Sequence, residues 1–388
     1  MLVCIVLMAI ALFFIVYALF GYPLLLLIIN KIKKPNSIKK NLSIEPTVTY
    51  MIAAHNEEKC IYKKLENILE FDYPFDKIQV IVASDFCTDS TNDLVEDFAK
   101  RHPELNILLN KSIEHKGKTN AQNEAQKTAT GEIIVMTDAN SILKSSAIRE
   151  LVSCFTSDDI VYVCGKLVYT NNDTITGDSE STYWNFDLVQ REIESNLQTI
   201  TAGNGSIYAV RNNEYIDLKP VYCHDGVFPY KFALLKKRCL YNPNAVSYEK
   251  AGENNNDEFK RKVRMNRTIL NVFINLWRPL NVFKYKWFSF FYFGHRTCRY
   301  LLWFNHLLFF AASIALLFLG YYIIGGIIVG LQILFFIIGI LSIGYTFRFK
   351  PLKIIGYYSM TVLSQLCGAF KQLIGKSKPT WHKAESTR

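Results

Sequence analysis

Two aspartates, Asp85 and Asp138, each follow a short run of β-branched and apolar residues, at positions 78–84 and 132–137. A third such run, 47–53, leads into Ala54, His55, Asn56 and Glu57. In open α/β sheets ligands lie outside the carboxyl ends of the strands, so the residues just after each strand are the ones to read for chemistry. Taken singly, an Asp or Asn in that place caps the next helix or sets a turn. Taken together, His55-Asn56-Glu57, Asp85 and Asp138-Ala139-Asn140 converge on one crevice whose polarity suits a nucleotide diphosphate. No GxGxxG or GxxxxGK[ST] loop follows the first run, which argues against a dinucleotide oxidoreductase and a P-loop ATPase.

The 388 residues carry a net charge of +10, but that figure averages opposites. Residues 45–256 hold 21 Lys and Arg against 31 Asp and Glu, while the flanks hold 23 bases against 3 acids. A nucleic-acid domain should itself be basic, so partners of that class are excluded, and bases beside apolar segments mark contact with anionic lipid headgroups. An acidic domain repels a nucleotide diphosphate unless a cation bridges the two. Magnesium does this with one or two carboxylates plus the phosphates, which makes Asp138 the candidate ligand. The nine cysteines are scattered singly without CxxC spacing, a pattern of reduced thiols in a cytoplasmic domain.

The elements that must position these groups alternate. Candidate strands at 47–53, 78–84, 106–109, 132–137 and 161–167 are separated by helical stretches such as 57–69 and 90–99, the rhythm of an α/β domain with a mostly parallel sheet. Membrane segments flank it. Residues 1–30 contain no charged side chain and are long enough to span a bilayer with tilt or with a bend near Gly21 and Pro23; without a basic start or a cleavage site they read as an anchor. The apolar tract from Tyr300 to Phe347 is long enough for two spans turning near Gly320–Gly326. Lysines after the first span and bases at both ends of the hairpin place the intervening domain in the cytoplasm.

The expected organisation is a transmembrane anchor at 1–30, a basic linker at 31–44, the cytoplasmic domain at 45–280, an aromatic and basic interfacial helix at 281–300, a transmembrane hairpin at 301–347 and a further helix with a basic tail at 348–388. Within that last segment Thr361, Ser364, Gln365, Gly368 and Gln372 form a polar stripe at helical spacing. A third span would place Lys376, Lys378 and Lys383 outside, so an interfacial or re-entrant helix fits better, with the span left open.

In their order the motifs resemble the family 2 glycosyltransferases of GT-A fold, which include the synthases of cellulose, hyaluronan and poly-N-acetylglucosamine. Ala53-Ala54-His55-Asn56-Glu57 is similar to the family's opening strand and Asn-Glu pair, and Asp85 to its uridine-contacting Asp. Lys116-Gly117-Lys118-Thr119-Asn120-Ala121-Gln122-Asn123 resembles the Gly-Lys-x-x-Ala-x-Asn segment, whose lysine lies near the diphosphate. Asp138-Ala139-Asn140 resembles the metal-binding Asp-x-Asp with Asn in the second place. Gly203-Asn204-Gly205 is similar to the loop on the acceptor side, and His224-Asp225 to an acidic pair whose Asp is the catalytic base. Arg261-Lys262-Val263-Arg264-Met265 occupies the place of Gln-x-x-Arg-Trp, keeping the second base alone. A looser likeness covers the hairpin and Trp381.

The resemblance implies a metal-dependent, inverting hexosyltransferase at the cell (inner) membrane. Asp225 would be the base. Ala54, His55, Asn56, Glu57, Asp85, Lys118, Asp138, Ala139 and Arg264 would bind the nucleotide sugar, UDP-linked by analogy. Asp138 and Asn140 would hold Mg2+ or Mn2+, and Gly203, Asn204, Gly205, His224, Arg261 and Met265 would face a lipid-linked or glycan acceptor. Two other readings remain. One is a processive polysaccharide synthase, against which Met265 stands where a stacking Trp would be; an oligomer could still enclose a channel. The other is a nucleotide-sugar-binding scaffold without catalysis.

Overall fold

A computed structural model describes residues 1–170, 175–250, 252, 254–274 and 277–380. Trp381 and Lys383 lie outside these residues. The chain divides into two compact units: residues 34–172, 181–251 and 378–388 in one, and residues 1–33, 173–180 and 252–377 in the other.

The first unit is built on an eight-stranded sheet: β1 (Val48–Ala54), β2 (Ile78–Ser84), β3 (Asn106–Lys111), β4 (Ile133–Asp138), β5 (Ile142–Leu143), β6 (Ile160–Tyr169), β7 (Ile207–Arg211) and β8 (Arg238–Glu249), in the order β3-β2-β1-β4-β7-β6-β8-β5. The β3, β2, β1 and β4 segment is parallel, as is the β6/β8 pair. β7 runs antiparallel between β4 and β6. The central parallel strands read as near-continuous apolar runs because helices cover both faces; β1 and β2 are buried at every position. One core gathers Tyr50, Ile52, Val80, Val82 and Val135, and the opposite face gathers Met51, Ile81, Ile134, Tyr208 and Phe228. Each such aliphatic side chain contributes about 1.5–3 kcal/mol of burial.

Register decides where the chemistry lies. Ala54 pairs with Ser84 and Ala53 with Asp138, so the three strands end together and deliver His55, Asp85 and Asp138 to one rim. The five strands read from sequence are present. β5, β7 and β8 are additional, and β8 was hidden by Pro243, which ordinarily argues against an interior strand. Here it falls at a register shift: Tyr241 pairs with Cys164 and Val246 with Lys166, and the intervening residues arch over Gly165. A Cβ on Gly165 would stand 2.2 Å from the Ala245 carbonyl oxygen, which is why that residue has no side chain.

The second unit is helical. Leu2–Val16, the π-helical turn Tyr17–Gly21 and Tyr22–Lys33 follow one another, and residues 2–33 and Tyr322–Gly344 are long and apolar enough to cross a membrane. Trp287–Cys298 and Leu302–Phe318 would count as a third only as one span broken by 57°. The hairpin turns at Gly320, whose φ of +88° suits glycine.

Two expectations change. Residues 281–300 are not one helix: Lys286 takes φ 53° and separates Val282–Tyr285 from Trp287–Phe291, which then passes into a π-helical segment. The polar stripe of Lys350–Leu373 faces its own unit. Gln365 donates to the Arg299 carbonyl at 2.9 Å, Gln372 accepts from the Leu270 amide at 2.8 Å, and Asn266 lies against both Ser364 and Gly368. Those bonds also explain why residues 255–280 group with the helices and not with the α/β unit. All nine cysteines are free.

Candidate active site

The rim of the parallel strands is held by bonds between neighbouring strand ends. Beyond β1, the Ala54 carbonyl accepts from the Asp85 amide at 2.8 Å, and His55 Nδ1 lies 2.6 Å from the Asp85 carbonyl. Asn56 takes a left-handed φ of 54°, which frees its Oδ1 to accept from the Thr88 amide at 2.7 Å, and the Glu57 amide donates to Thr91 Oγ1 at 2.7 Å. Phe86, after β2, has the matching φ of 55°, an uncommon conformation for a bulky residue, and leaves its ring half-exposed.

Asp85 is 3 % exposed. Its Oδ1 accepts from the amides of Lys116 and Gly117, each at 3.2 Å, and Oδ2 lies 2.9 Å from His115 Nδ1. Gly117 (φ +94°) lies under the Pro379 carbonyl, 2.8 Å from where a Cβ would stand. His115 was not singled out in the sequence. Its ring stacks on His55 with centroids 4.0 Å apart and planes 15° from parallel. The ligand atoms of His55, Asp85 and His115 lie within 4.8 Å of one another. Rings so nearly parallel cannot both aim in-plane lone pairs at one ion, so this trio is a stacked pair on a carboxylate and not a metal shell.

The second cluster forms where β4 ends. Lys118, first residue of the helix Lys118–Gln126, bonds through Nζ to Asp138 Oδ1 and lies 3.4 Å from the Gly205 carbonyl. Burial disfavours its charge, but the carboxylates of Asp138 and Asp225 more than offset this and raise its pKa. A Cβ built on Gly205 would meet Lys118 Nζ at 3.4 Å, Asp225 Oδ2 at 3.7 Å and Asp138 Oδ2 at 3.8 Å. One small open point is thus surrounded by a cation and two carboxylates from three different elements. Those contacts are ordinary van der Waals distances, so Gly205→Ala should melt like the wild type while its methyl fills the point. Catalysis by these groups is expected to fall about a hundredfold, the size of effect that displacing reacting groups by about 1 Å can have. Steady-state rates beside a thermal melt check this.

Asp225 opens the helix His224–Leu234, and its carbonyl accepts from the Gly203 amide at 2.8 Å. Gly203 is required by the fold, since a Cβ there would stand 1.9 Å from Tyr162 Oη. Two residues expected on the acceptor side are turned inward. Asn204, 4 % exposed, donates to the Gly165 carbonyl at 2.6 Å and accepts from the amides of Ser206 and Ile207. His224, 1 % exposed, lies among Gln122, Asn123 and Tyr215. Asn123 donates to the Leu218 carbonyl, which leaves its Oδ1 facing His224 Nε2 at 2.9 Å. His224 Nδ1 lies 3.0 Å from Gln122 Oε1, and Nε2 also lies 2.9 Å from the Tyr215 hydroxyl.

Burial, and then the charge of Lys118, pushes the His224 pKa down to about 3. The unfolded chain binds its proton near the ordinary value of about 6.5, so between pH 6.5 and 3 the unfolded state holds more protons. Stability is then lost as pH falls through that window, by up to about 1.4 kcal/mol per pH unit. In His224→Gln the slope of melting temperature against pH between 6.5 and 4.5 should be shallower than in the wild type. Equal slopes would contradict the buried, neutral imidazole.

Arg261, Arg264 and Met265 belong to the helix Asn255–Met265 of the other unit. There Arg261 pairs with Glu258 through Nε at 2.6 Å, and Met265 is 59 % exposed. Ala139 is buried and Asn140 half-buried beside Asp138.

Comparison with known proteins decides what this rim belongs to. Residues 49–238 match the sequence model of Glycosyl transferase family 2. This segment is a family 2 glycosyltransferase domain of GT-A fold. It is 30 % identical over 122 residues to a probable glycosyltransferase, YdaM, of Bacillus subtilis, covering 31 % of this chain and 29 % of that one. The chain is 30 % identical over 112 residues to the beta-monoglucosyldiacylglycerol synthase of Synechocystis, covering 29 % and 23 %, and 23 % identical over 200 residues to the hyaluronan synthase of Streptococcus pyogenes, covering 50 % and 48 %. The chain spans less than half the length of each of these relatives. A mannosyltransferase of Pyrobaculum calidifontis, solved with GDP-Man and Mn2+, shares the fold with a TM-score of 0.70 at 24 % identity, over 95 % of this chain and 99 % of that one. Three groups of the α/β unit carried no motif in the sequence: His115, Lys64 and Glu249. Lys64 alone left a signal, a charged residue at the apolar spacing of Ile61, Leu65 and Ile68.

Proposed function

We propose that the chain is an inverting glycosyltransferase that moves a sugar from a nucleotide sugar, UDP-linked, to a lipid-linked or glycan acceptor at the membrane, in the synthesis of cell-surface polysaccharide or glycolipid. The observation that carries this reading is the point beside Gly205, with Lys118 Nζ, Asp138 Oδ2 and Asp225 Oδ2 all within 3.8 Å of it. A leaving group and a base are needed on either side of one reacting carbon, and these are the groups that can serve.

In this reading Asp225 takes the proton of the acceptor hydroxyl as its oxygen attacks the anomeric carbon. The bond to the diphosphate breaks and its electron pair leaves with the diphosphate, next to the Lys118 ammonium. Ala54, His55, Asn56, Glu57 and Asp85 hold the nucleoside end, with Ala139 under the sugar. Asp138 and Asn140 offer a carboxylate and an amide oxygen, hard donors that suit a hard divalent ion, and Asp138 Oδ2 lies 3.8 Å from the point beside Gly205. They would hold Mg2+ or Mn2+, which when bound supplies charge to the departing diphosphate. The Mn2+ of the Pyrobaculum neighbour supports the same choice. The two apolar helices and the names of the relatives support a membrane setting, with the glycosyltransferase domain on the cytoplasmic side. The test is to incubate membranes containing the chain with a panel of radiolabelled nucleotide sugars and to identify and size the product. Label passing from a UDP-sugar into a lipid or glycan fraction is the expected result, and no transfer from any donor would refute the proposal.

A further inference from the structure

The α/β unit carries a charge in its core that the reaction described above does not use. Lys64, on the helix Ile61–Glu66, is 0 % exposed. Its Nζ donates to Thr137 Oγ1 at 3.0 Å and to the Ser141 carbonyl, and it stands 5.3 Å from the centre of the Tyr50 ring. Neither acceptor is a carboxylate. Burying a cation without a close anionic partner is costly, and burial pushes its pKa down to about 7 against the pull of Asp138, Glu249 and Cys60. Packing alone would be better served by Met or Leu, so what the ammonium holds is the question.

It holds two segments at once. A lysine ammonium can only donate, so its bond to Thr137 leaves the threonine's own proton free for the Ser206 carbonyl, 2.8 Å away. Ser206 follows Gly205. On the other side, the Ser141 carbonyl ends a turn closed by the Ser141 amide on the Asp138 carbonyl at 3.1 Å, and Ser141 Oγ is tied to Glu249. One buried group therefore grips both ends of the turn that presents Asp138 and Asn140, and through Thr137 it reaches the loop beside Asp225.

We propose that Lys64 is a positioning residue: it keeps the 138–141 turn and the 203–206 loop in one register, so that Lys118, Asp138 and Asp225 stay around the point beside Gly205. Its catalytic consequence rests on the transferase reading, whereas its structural half can be measured without it. Lys64→Met keeps the length of the side chain and removes both charge and donors. In the full chain, amide hydrogen exchange at 138–141 and 203–207 should rise about tenfold while β1 and β2 exchange as before and the melting temperature does not fall. The kcat should drop about 10- to 100-fold with donor KM within about threefold. Thr137→Val should act alike, and the double variant should lose no more than the stronger single one, because both cut one chain of bonds. Unchanged exchange at both segments would overturn the proposal, as would a uniform rise across the sheet with normal kcat in the folded fraction. A local rise in a chain whose wild type transfers no sugar would uphold the register link and refute the transferase reading.

Discussion

Asp225→Asn should lower kcat about a thousandfold or more while leaving nucleotide-sugar affinity within about threefold of the wild type. The asparagine is nearly isosteric and keeps the backbone that accepts from Gly203 at 2.8 Å, so the loop beside it stays in place. What is lost, on the mechanism proposed, is the group that receives the acceptor's proton, an interaction made in the transition state and scarcely in the ground state. Single-turnover rates and donor binding measured on the same preparation separate the two. A variant with wild-type turnover would move the base elsewhere, and one that binds donor ten times more weakly would make Asp225 part of the donor site.

Removing divalent metal should abolish transfer, and adding back Mg2+ or Mn2+ should restore it. Asp138 is alone among the strand-end acids in facing the Gly205 point together with Asp225, and Lys118 neutralises only part of their charge. A nucleotide diphosphate brought there adds further negative charge, and Coulomb repulsion at about 4 Å reaches several kcal/mol where solvent is partly excluded. Asn in place of a second Asp contributes an oxygen but no charge, so the metal should be held weakly and a modest excess of chelator should suffice. Full activity after chelation would leave Lys118 as the whole of the leaving-group clamp.

The parallel half of the sheet was legible because its strands are buried on both faces and announce themselves as apolar runs. The strand-end residues were legible for the same reason, since parallel register brings His55, Asp85 and Asp138 to one rim wherever the strands begin. What escaped was set by tertiary partners. β8 carries Pro243 at a bulge that only Gly165 opposite permits, and β7 follows a glycine loop that reads as a turn. Asn204 and His224 matched a motif by position, yet one is the clamp of that loop and the other a neutral core imidazole. The polar stripe of the last helix looked like an interfacial face because periodicity does not say what lies opposite; its partners are Arg299, Leu270 and Asn266. Lys64 shows the reverse case, a charge on an apolar face that sequence reading passes over as a solvated end.

The anomeric configuration of the first product tests the central claim, a single displacement with Asp225 as base, most directly. With an α-linked nucleotide sugar and product collected before one turnover in ten, proton NMR should show a β-configured anomeric centre, because the acceptor oxygen enters opposite the departing diphosphate. An α-configured product would mean two displacements, with a carboxylate beside Gly205 acting as nucleophile, and would contradict the account.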